Sequence, residues 1–145
     1  MFEHILIPTD GSPLAERAVD RGLRLAAAFR ASVTLLTVFE PFHVFSLRPA
    51  QLSVTEADYE DAMRQRGHEL LTGGMTLARD LGVTCEPVVV GDEQPYRAII
   101  DVATERRCDL IAMASHGRRG VSALVLGSET QKVLTHSKIP VLVFR

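Results

Sequence analysis

Five short stretches of the chain are apolar almost without interruption. They cover residues 5–8, 32–39, 83–90, 109–115 and 139–144. Strands with one solvated face alternate apolar and polar residues, whereas strands covered on both faces read as continuous apolar runs. The pattern therefore predicts five strands of a parallel sheet that is buried on both faces.

Between these stretches, apolar residues recur three and four positions apart, as on one face of a helix. A first helix begins with Ser12 as capping residue and Pro13 at the first helical position. A second covers residues 55–81, with Gly82 as its C-terminal cap and Gly73–Gly74 as a place where it could break. The pattern predicts a third helix from Pro95 and a fourth over residues 128–136.

Strands that alternate with helices indicate βαβ units, right-handed crossovers and a doubly wound α/β fold. No linker or long repeat interrupts the chain, so we expect one domain over residues 1–145. In such folds, ligands bind outside the carboxyl ends of the strands, at the point where the strand order reverses. That rule makes the residues that follow each strand the first candidates for a functional site.

Composition narrows the function classes. The net charge is −2, which gives no basic excess for binding nucleic acid or an anionic membrane surface. No apolar run reaches the roughly 18 residues that span a bilayer, and the first residues lack the features of a secretory signal. Cys85 and Cys108 form no metal-binding pattern and suit two buried, reduced thiols. We therefore expect a cytoplasmic protein with neither a nucleic-acid nor a membrane partner.

The carboxyl end of the fourth strand carries Ser115, His116 and Gly117 between small or polar neighbours. Small residues at a strand end allow a flat ligand to lie against the backbone, and His116 could contact a phosphate. A plain turn in which Gly117 supplies a positive φ explains the same residues. The sequence leaves both interpretations open.

The start of the fourth helix also has two interpretations. Gly127 precedes Ser128, and glycine before a helix N-terminus lets a phosphate approach the free backbone N–H groups. Ser128 with Gln131 three residues later equally reads as a capping box that needs no ligand. Asp10, after the first strand, could bind ribose hydroxyls, an adenine amine or a metal, or could be a turn residue.

Taken together, three stretches resemble the universal stress protein family. They are "ILIPTDGSPLAERAV", "ASHG" followed by nine residues and "GS", and the terminal "HSKIPVLVFR". The nucleotide-binding branch of that family shows Gly-x-x-Gly, nine residues, then Gly-Ser or Gly-Thr. Gly117, Gly127 and Ser128 match this pattern, whereas Ala114 replaces its first glycine. The resemblance covers essentially the whole chain.

The resemblance implies a Rossmann-like sheet of the adenine nucleotide alpha hydrolase type, with strand order 3-2-1-4-5, that binds ATP, ADP or AMP, with Mg²⁺ as a further candidate ligand. It implies that Asp10, with Pro8 and Thr9, holds the adenosine end and that Val38 meets the adenine. The ribose and phosphate path is then lined by Met113, Ala114 and Gly117, with Ser115 and His116 between them. The phosphates are received by Gly127, Ser128, Glu129 and Thr130 through backbone N–H groups and hydroxyls.

Two features bear on how tightly a nucleotide would bind. If position 114 needs a positive φ, alanine there should cost on the order of 1 kcal/mol; if it needs only a small side chain, alanine suffices. We expect the second, because a strand end usually has negative φ. Glu129 suits the positive end of a helix dipole but would repel a triphosphate unless it points away.

The last strand, residues 139–145, is an apolar edge that invites a second copy, and the resemblance also implies a homodimer through it. Residues 40–54 are either a loop packed on the domain or a lid over adenine. Three functions stay open. The first is an adenine-nucleotide-binding stress-response or signalling module that prefers ATP and has little or no hydrolysis. The second is an enzyme on the same scaffold, either a slow ATPase or an adenylating enzyme, and the third is a ligand-free dimeric interaction module.

Overall fold

A computed structural model describes residues 1–43, 55–118 and 125–145 of the chain. Within these ranges, strands and helices alternate along the chain, as the hydrophobic pattern predicts. The elements are β1 (His4–Pro8), α1 (Pro13–Phe29), β2 (Ser32–Phe39), α2 (Glu56–Asp80), β3 (Cys85–Gly91), α3 (Pro95–Glu105), β4 (Leu110–Ala114), α4 (Ser128–His136) and β5 (Val141–Phe144).

The five strands form one parallel sheet in the order β3-β2-β1-β4-β5, which confirms the predicted fold class. Helices α1 and α2 pack on one face, where Leu23 and Leu71 are buried against Ile7 and Leu35. Helices α3 and α4 cover the other face, and there Val133 joins a second apolar cluster. Both faces are therefore covered, which is why the strands are apolar throughout.

The two glycines in the middle of α2 do not break the helix. A Cβ at Gly74 would lie 2.6 Å from Leu35 Cδ2, so glycine here lets α2 approach β2 closely. Thr55 caps the start of α2, because its side chain accepts a hydrogen bond from Asp58 N. Gly82, with φ of +69°, follows its end, as the sequence predicts.

Some strand boundaries differ from the prediction. β3 begins at Cys85 rather than at residue 83, because Val83 N bonds back to Ala78 O and still belongs to the turn after α2. β5 begins at Val141 rather than at residue 139, because Ile139 N donates to Ser137 Oγ in the preceding turn. Apolar character alone does not distinguish a strand end from a buried turn.

Within the described part of the chain, no helix is both long enough and apolar enough to traverse a bilayer. Both cysteines are free thiols, and Cys108 is buried as expected, whereas Cys85 is only partly buried. Burial raises the pKa of each thiol to about 11. Because the thiolate is the reactive form of cysteine, both side chains are poor nucleophiles at neutral pH.

Candidate functional site

The order of strands reverses between β1 and β4, and the loops after these two strands turn to opposite faces of the sheet. Asp10 joins the two loops. Its Oδ1 accepts a hydrogen bond from Ser12 N at 2.9 Å, and its Oδ2 accepts one from Arg118 N at 2.8 Å. The carboxylate that follows β1 therefore lies at the expected ligand-binding edge and links the loop after β1 to the loop after β4.

The environment of Asp10 favours the charged carboxylate. Burial, the largest single influence, raises the pKa of this carboxyl, but hydrogen bonds from Ser12 and Arg118 and the positive charge of Arg118 lower it by more. The net result is a pKa below the ordinary value of 3.8. At neutral pH the edge of the sheet thus carries a fixed negative charge that accepts hydrogen bonds.

Gly117 is a glycine because of Asp10. A Cβ at this position would collide with Asp10 Oδ2, so any larger residue would displace the carboxylate. The interpretation of Gly117 as a turn residue with positive φ is wrong, because positive φ occurs among the described residues only at Gly11, Gly82 and two arginines. The close approach of two loops explains this glycine.

The N-terminus of α1 is capped by its own residues. Ser12 Oγ accepts a hydrogen bond from Ala15 N at 3.3 Å, and Pro13 at the first helical position has no N–H to satisfy. Just before the helix, Thr9 Oγ1 accepts a hydrogen bond from Gly11 N at 3.1 Å and donates to Glu16 Oε1 at 2.8 Å. Few donors at this helix start therefore stay available to a ligand.

The N-terminus of α4 differs, because no described side chain caps it. Its capping residue is Gly127 rather than Ser128, so the capping box inferred from Ser128 and Gln131 is wrong. Ser128 occupies the first helical position, and Gln131 Nε2 donates instead to Leu126 O at 2.9 Å. The first N–H groups of the helix are left for an outside acceptor, which is the arrangement that anion sites use.

Gly127 is held against the loop after β4. Its N–H donates to Ser115 O at 2.8 Å, and a Cβ would lie 3.0 Å from both His116 Cα and Cβ. A side chain at position 127 would therefore push α4 away from residues 115 and 116. Gly117 and Gly127 thus mark two close approaches, one to Asp10 and one to His116.

Five of the candidate residues are buried, with exposed fractions of 2–7%. They are Thr9, Met113, Ala114, Ser115 and Thr130. The Thr130 hydroxyl donates to Ala114 O at 3.0 Å, so this hydroxyl is already used within the protein. Ala114 does not have a positive φ, which agrees with the expectation that its position requires only a small side chain.

The more accessible candidates surround the loop after β4. Pro8 and Val38 are half-buried at the ends of β1 and β2, and Ser128 is exposed at the start of α4. A cavity of about 450 Å³ opens beside this loop and is lined by residues 11–14, Arg17 and residues 116–118. This cavity lies on the α1 side of the loop, and none of residues 127–130 lines it.

Sequence reasoning missed the partners of Glu129. Its Oε2 accepts a hydrogen bond from Tyr96 N at 2.9 Å, and its Oε1 lies 3.2 Å from Lys132 Nζ. The carboxylate thus bonds to the first turn of α3. Lys132 lies three residues after Glu129, so helical spacing could have predicted this ion pair. Nothing in the sequence relates Glu129 to Tyr96.

Only the beginning of residues 40–54, which the sequence leaves as either a packed loop or a lid, is described. Phe42 contacts Tyr59 of α2 with ring centroids 5.6 Å apart, and the Tyr59 hydroxyl donates to Glu40 O at 2.9 Å. These contacts attach the start of the segment to α2. Residues 44–54 lie outside the described residues.

Comparisons with known proteins agree with this fold. The sequence model of the universal stress protein family matches residues 1–145. A universal stress protein of Thermus aquaticus is 32% identical over 148 residues and is covered over its full length, as is this chain.

Two solved structures extend the comparison. A protein of Methanocaldococcus jannaschii has a TM-score of 0.78 at 29% identity, over 99% of this chain and 95% of its own. A universal stress protein in complex with cAMP has a TM-score of 0.73 at 25% identity, over 99% and 97% of the two chains.

Proposed function

Because the chain belongs to the universal stress protein family, we propose that it is an adenine-nucleotide-binding module of stress response or signalling. ATP, ADP or AMP binds across the carboxyl ends of β1 and β4, with Mg²⁺ as a further candidate ligand of the phosphates. We place this function in the cytoplasm, and we propose that the whole chain acts as one domain.

The observation that carries the proposal is the uncapped N-terminus of α4. The N–H groups of Ser128, Glu129 and Thr130 lie at the positive end of the helix dipole, and Ser128 is exposed. A phosphate would complete these bonds, which is the usual chemistry of helix N-termini that follow a glycine. The neighbouring α1 has no comparable opening, because Ser12 and Pro13 close it.

The other end of the ligand would meet Asp10 and Val38. The charged Asp10 carboxylate is suited to accept hydrogen bonds from ribose hydroxyls or an adenine amine, while half-buried Val38 offers an apolar surface. The structural neighbour bound to cAMP, which is 25% identical, supports an adenine nucleotide as the ligand class. We call residues 127–130 the phosphate cradle. Beside it, the backbone of residues 116 and 117 would lie under the sugar and the first phosphate.

We propose little or no hydrolysis. A general base must lie within hydrogen-bond reach of the attacking water and be free to accept its proton. The carboxylates of Asp10 and Glu129 flank the cradle, but the first is bonded to Ser12 and Arg118 and the second to Tyr96 and Lys132. Both groups are therefore committed to holding the site together.

The test is to purify the protein, denature it, and identify any released nucleotide by mass spectrometry. The nucleotide-free protein is then titrated with ATP, ADP and AMP by calorimetry, and product formation from ATP is followed separately. Neither a released nucleotide nor saturable binding would refute the proposal and favour the ligand-free module. Turnover faster than about one per second would instead favour an enzyme.

We also propose that two copies associate through β5. The two edges of the sheet differ, because β3 carries Pro87, which lacks an N–H, and Glu86 paired with Arg106. Such features keep a sheet edge from pairing with another chain. β5 carries only apolar side chains, and Leu142 is 36% exposed.

The oligomeric state tests this association. Light scattering coupled to size exclusion should give a dimer for the wild-type protein and a monomer for Leu142→Glu, because a charge in an apolar interface is costly to desolvate. Glu86→Leu on the opposite edge is the matched control and should stay dimeric. A wild-type monomer at the concentrations of the titrations would contradict the proposal.

A further inference from the structure

Glu129 is a residue of the phosphate cradle whose side chain contacts a different helix, α3. It occupies the second position of α4, so its backbone N–H points toward the proposed phosphates. Its carboxylate reaches across to α3 and accepts the N–H of Tyr96 at 2.9 Å. Its side chain is 37% exposed, so its charge is only partly screened by water.

The carboxylate replaces a cap that α3 lacks. Gln94 precedes α3 without any side-chain capping bond, and Tyr96 is the second residue of that helix. Glu129 therefore lies between the N-termini of two helices, which fixes its charge beside the cradle. Lys132 holds the other carboxylate oxygen at 3.2 Å and packs with its Nζ 5.5 Å from the centre of the Tyr96 ring.

We propose that Glu129 sets the ligand specificity of the cradle by charge, favouring adenine nucleotides with a single phosphate over the triphosphate. The inference rests on the proposed function, because it concerns the same site. The backbone N–H groups at the start of α4 attract one phosphate, and the first phosphate benefits from them fully. Each further phosphate adds negative charge near a carboxylate that its bond to Tyr96 N holds in place.

Lys132 offsets this repulsion only in part. It is 48% exposed and lies one turn further along α4 than Glu129, so it is more distant from the cradle than the carboxylate it pairs with. Arg17 and Arg118 line the cavity beside the loop after β4, and the Arg118 Nη2 lies on the α1 side, next to Gly11. Within the first turn of α4, the charged side chain is thus negative.

The decisive variant is Glu129→Gln, because the amide oxygen can still accept the Tyr96 N–H while the charge is removed. We expect the affinity for ATP, relative to that for AMP and cAMP, to rise about three- to tenfold in EDTA at low ionic strength. The gain should shrink with added salt, which screens the carboxylate. It should also shrink with Mg²⁺, which neutralises the triphosphate.

Two further variants complete the experiment. Lys132→Gln leaves the Glu129 charge without its partner, and we expect the ATP-to-AMP affinity ratio to fall. Glu86→Gln removes a carboxylate that also pairs with a cation, Arg106, but that lies on β3 away from the carboxyl edge, and the ratio should stay at the wild-type value. Circular dichroism and thermal unfolding verify that each variant is folded.

The outcomes separate the two proposals. Binding of AMP and ATP with a ratio that is the same in wild type, Glu129→Gln and Lys132→Gln would overturn the role of Glu129 and leave the proposed function standing. Equal loss of both ligands in Glu129→Gln, with lowered stability, would show a purely structural link to α3 and also overturn it. Failure of the wild-type protein to bind any adenine nucleotide would refute the proposed function itself.

Discussion

Two helices begin at the same edge of the sheet, and their N-termini differ in how their donors are satisfied. α1 is closed by Ser12, by Pro13 and by the loop that Asp10 holds, whereas α4 begins at Gly127 without a described side-chain cap. Both starts combine glycine and serine in sequence. A glycine followed by a serine at a helix start therefore does not reveal whether the first N–H groups are capped by the protein or can bind an anion. The contacts around the helix start decide this.

The largest expected effect comes from closing the open helix start. Gly127→Val would place a side chain 3.0 Å from the His116 backbone and displace the cradle, so the nucleotide affinity should fall at least tenfold, or about 1.4 kcal/mol. Gly73→Ala is the matched control, since a Cβ there meets nothing within 4 Å. Calorimetric titration of both variants measures the effect, and an unchanged affinity in Gly127→Val would show that the cradle is elsewhere.

Removing the charge of Asp10 tests how much this carboxylate stabilises the loops at the start of α1. Asp10→Asn loses one acceptor for the loops, so the free energy of unfolding should fall by about 1 to 2 kcal/mol at neutral pH. Because the pKa of Asp10 is lowered in the folded state, its stabilisation is present above the unfolded value of 3.8 and is lost as the pH falls through the folded value.

Urea unfolding at several pH values measures this difference. The wild type and Asp10→Asn should differ most above about pH 5 and converge in more acidic solution. A difference that stays constant down to acidic pH would mean that the charge of Asp10 does not stabilise the junction of the two loops.

Exchanging the serine at the start of each helix for alanine sharpens the comparison further. Ser12→Ala should lower the free energy of unfolding by about 1 kcal/mol, because it removes a cap, and should affect affinity less than stability. Ser128→Ala should leave stability within about 0.5 kcal/mol, because Ser128 caps nothing, yet lower nucleotide affinity about threefold. Thermal unfolding and titration of the two variants side by side would expose any reversal of this pattern.

The smallest effect is expected at Ala114, where the family pattern has glycine. Ala114→Gly should change nucleotide affinity by less than about twofold and reduce stability by roughly 0.5–1 kcal/mol, because the backbone there does not need a positive φ. A gain of tenfold in affinity would instead show that the methyl group of Ala114 obstructs the ligand.

Much of the fold could be predicted from short-range signals. Continuous apolar runs gave the strands, and helical spacing with Ser12 and Thr55 as capping residues gave α1 and α2. The predicted first residues of β3 and β5 were about two positions too early. Val83 and Ile139 are apolar but lie in turns, and the sequence does not show the hydrogen bonds of those turns. The carboxyl-end rule alone placed Asp10 and Gly117 on one edge.

The amino-acid sequence by itself determined the order of strands and helices, the covered sheet and the set of residues at its carboxyl edge, because periodicity and capping act over a few residues. Only the tertiary structure decided which helix start is open and what each charge near it does. Asp10 accepts a hydrogen bond from Arg118, which lies 108 positions later in the sequence, and Glu129 accepts one from Tyr96, which lies 33 positions earlier. Such contacts depend on how the two faces of the sheet bring distant loops together, and no local pattern encodes them.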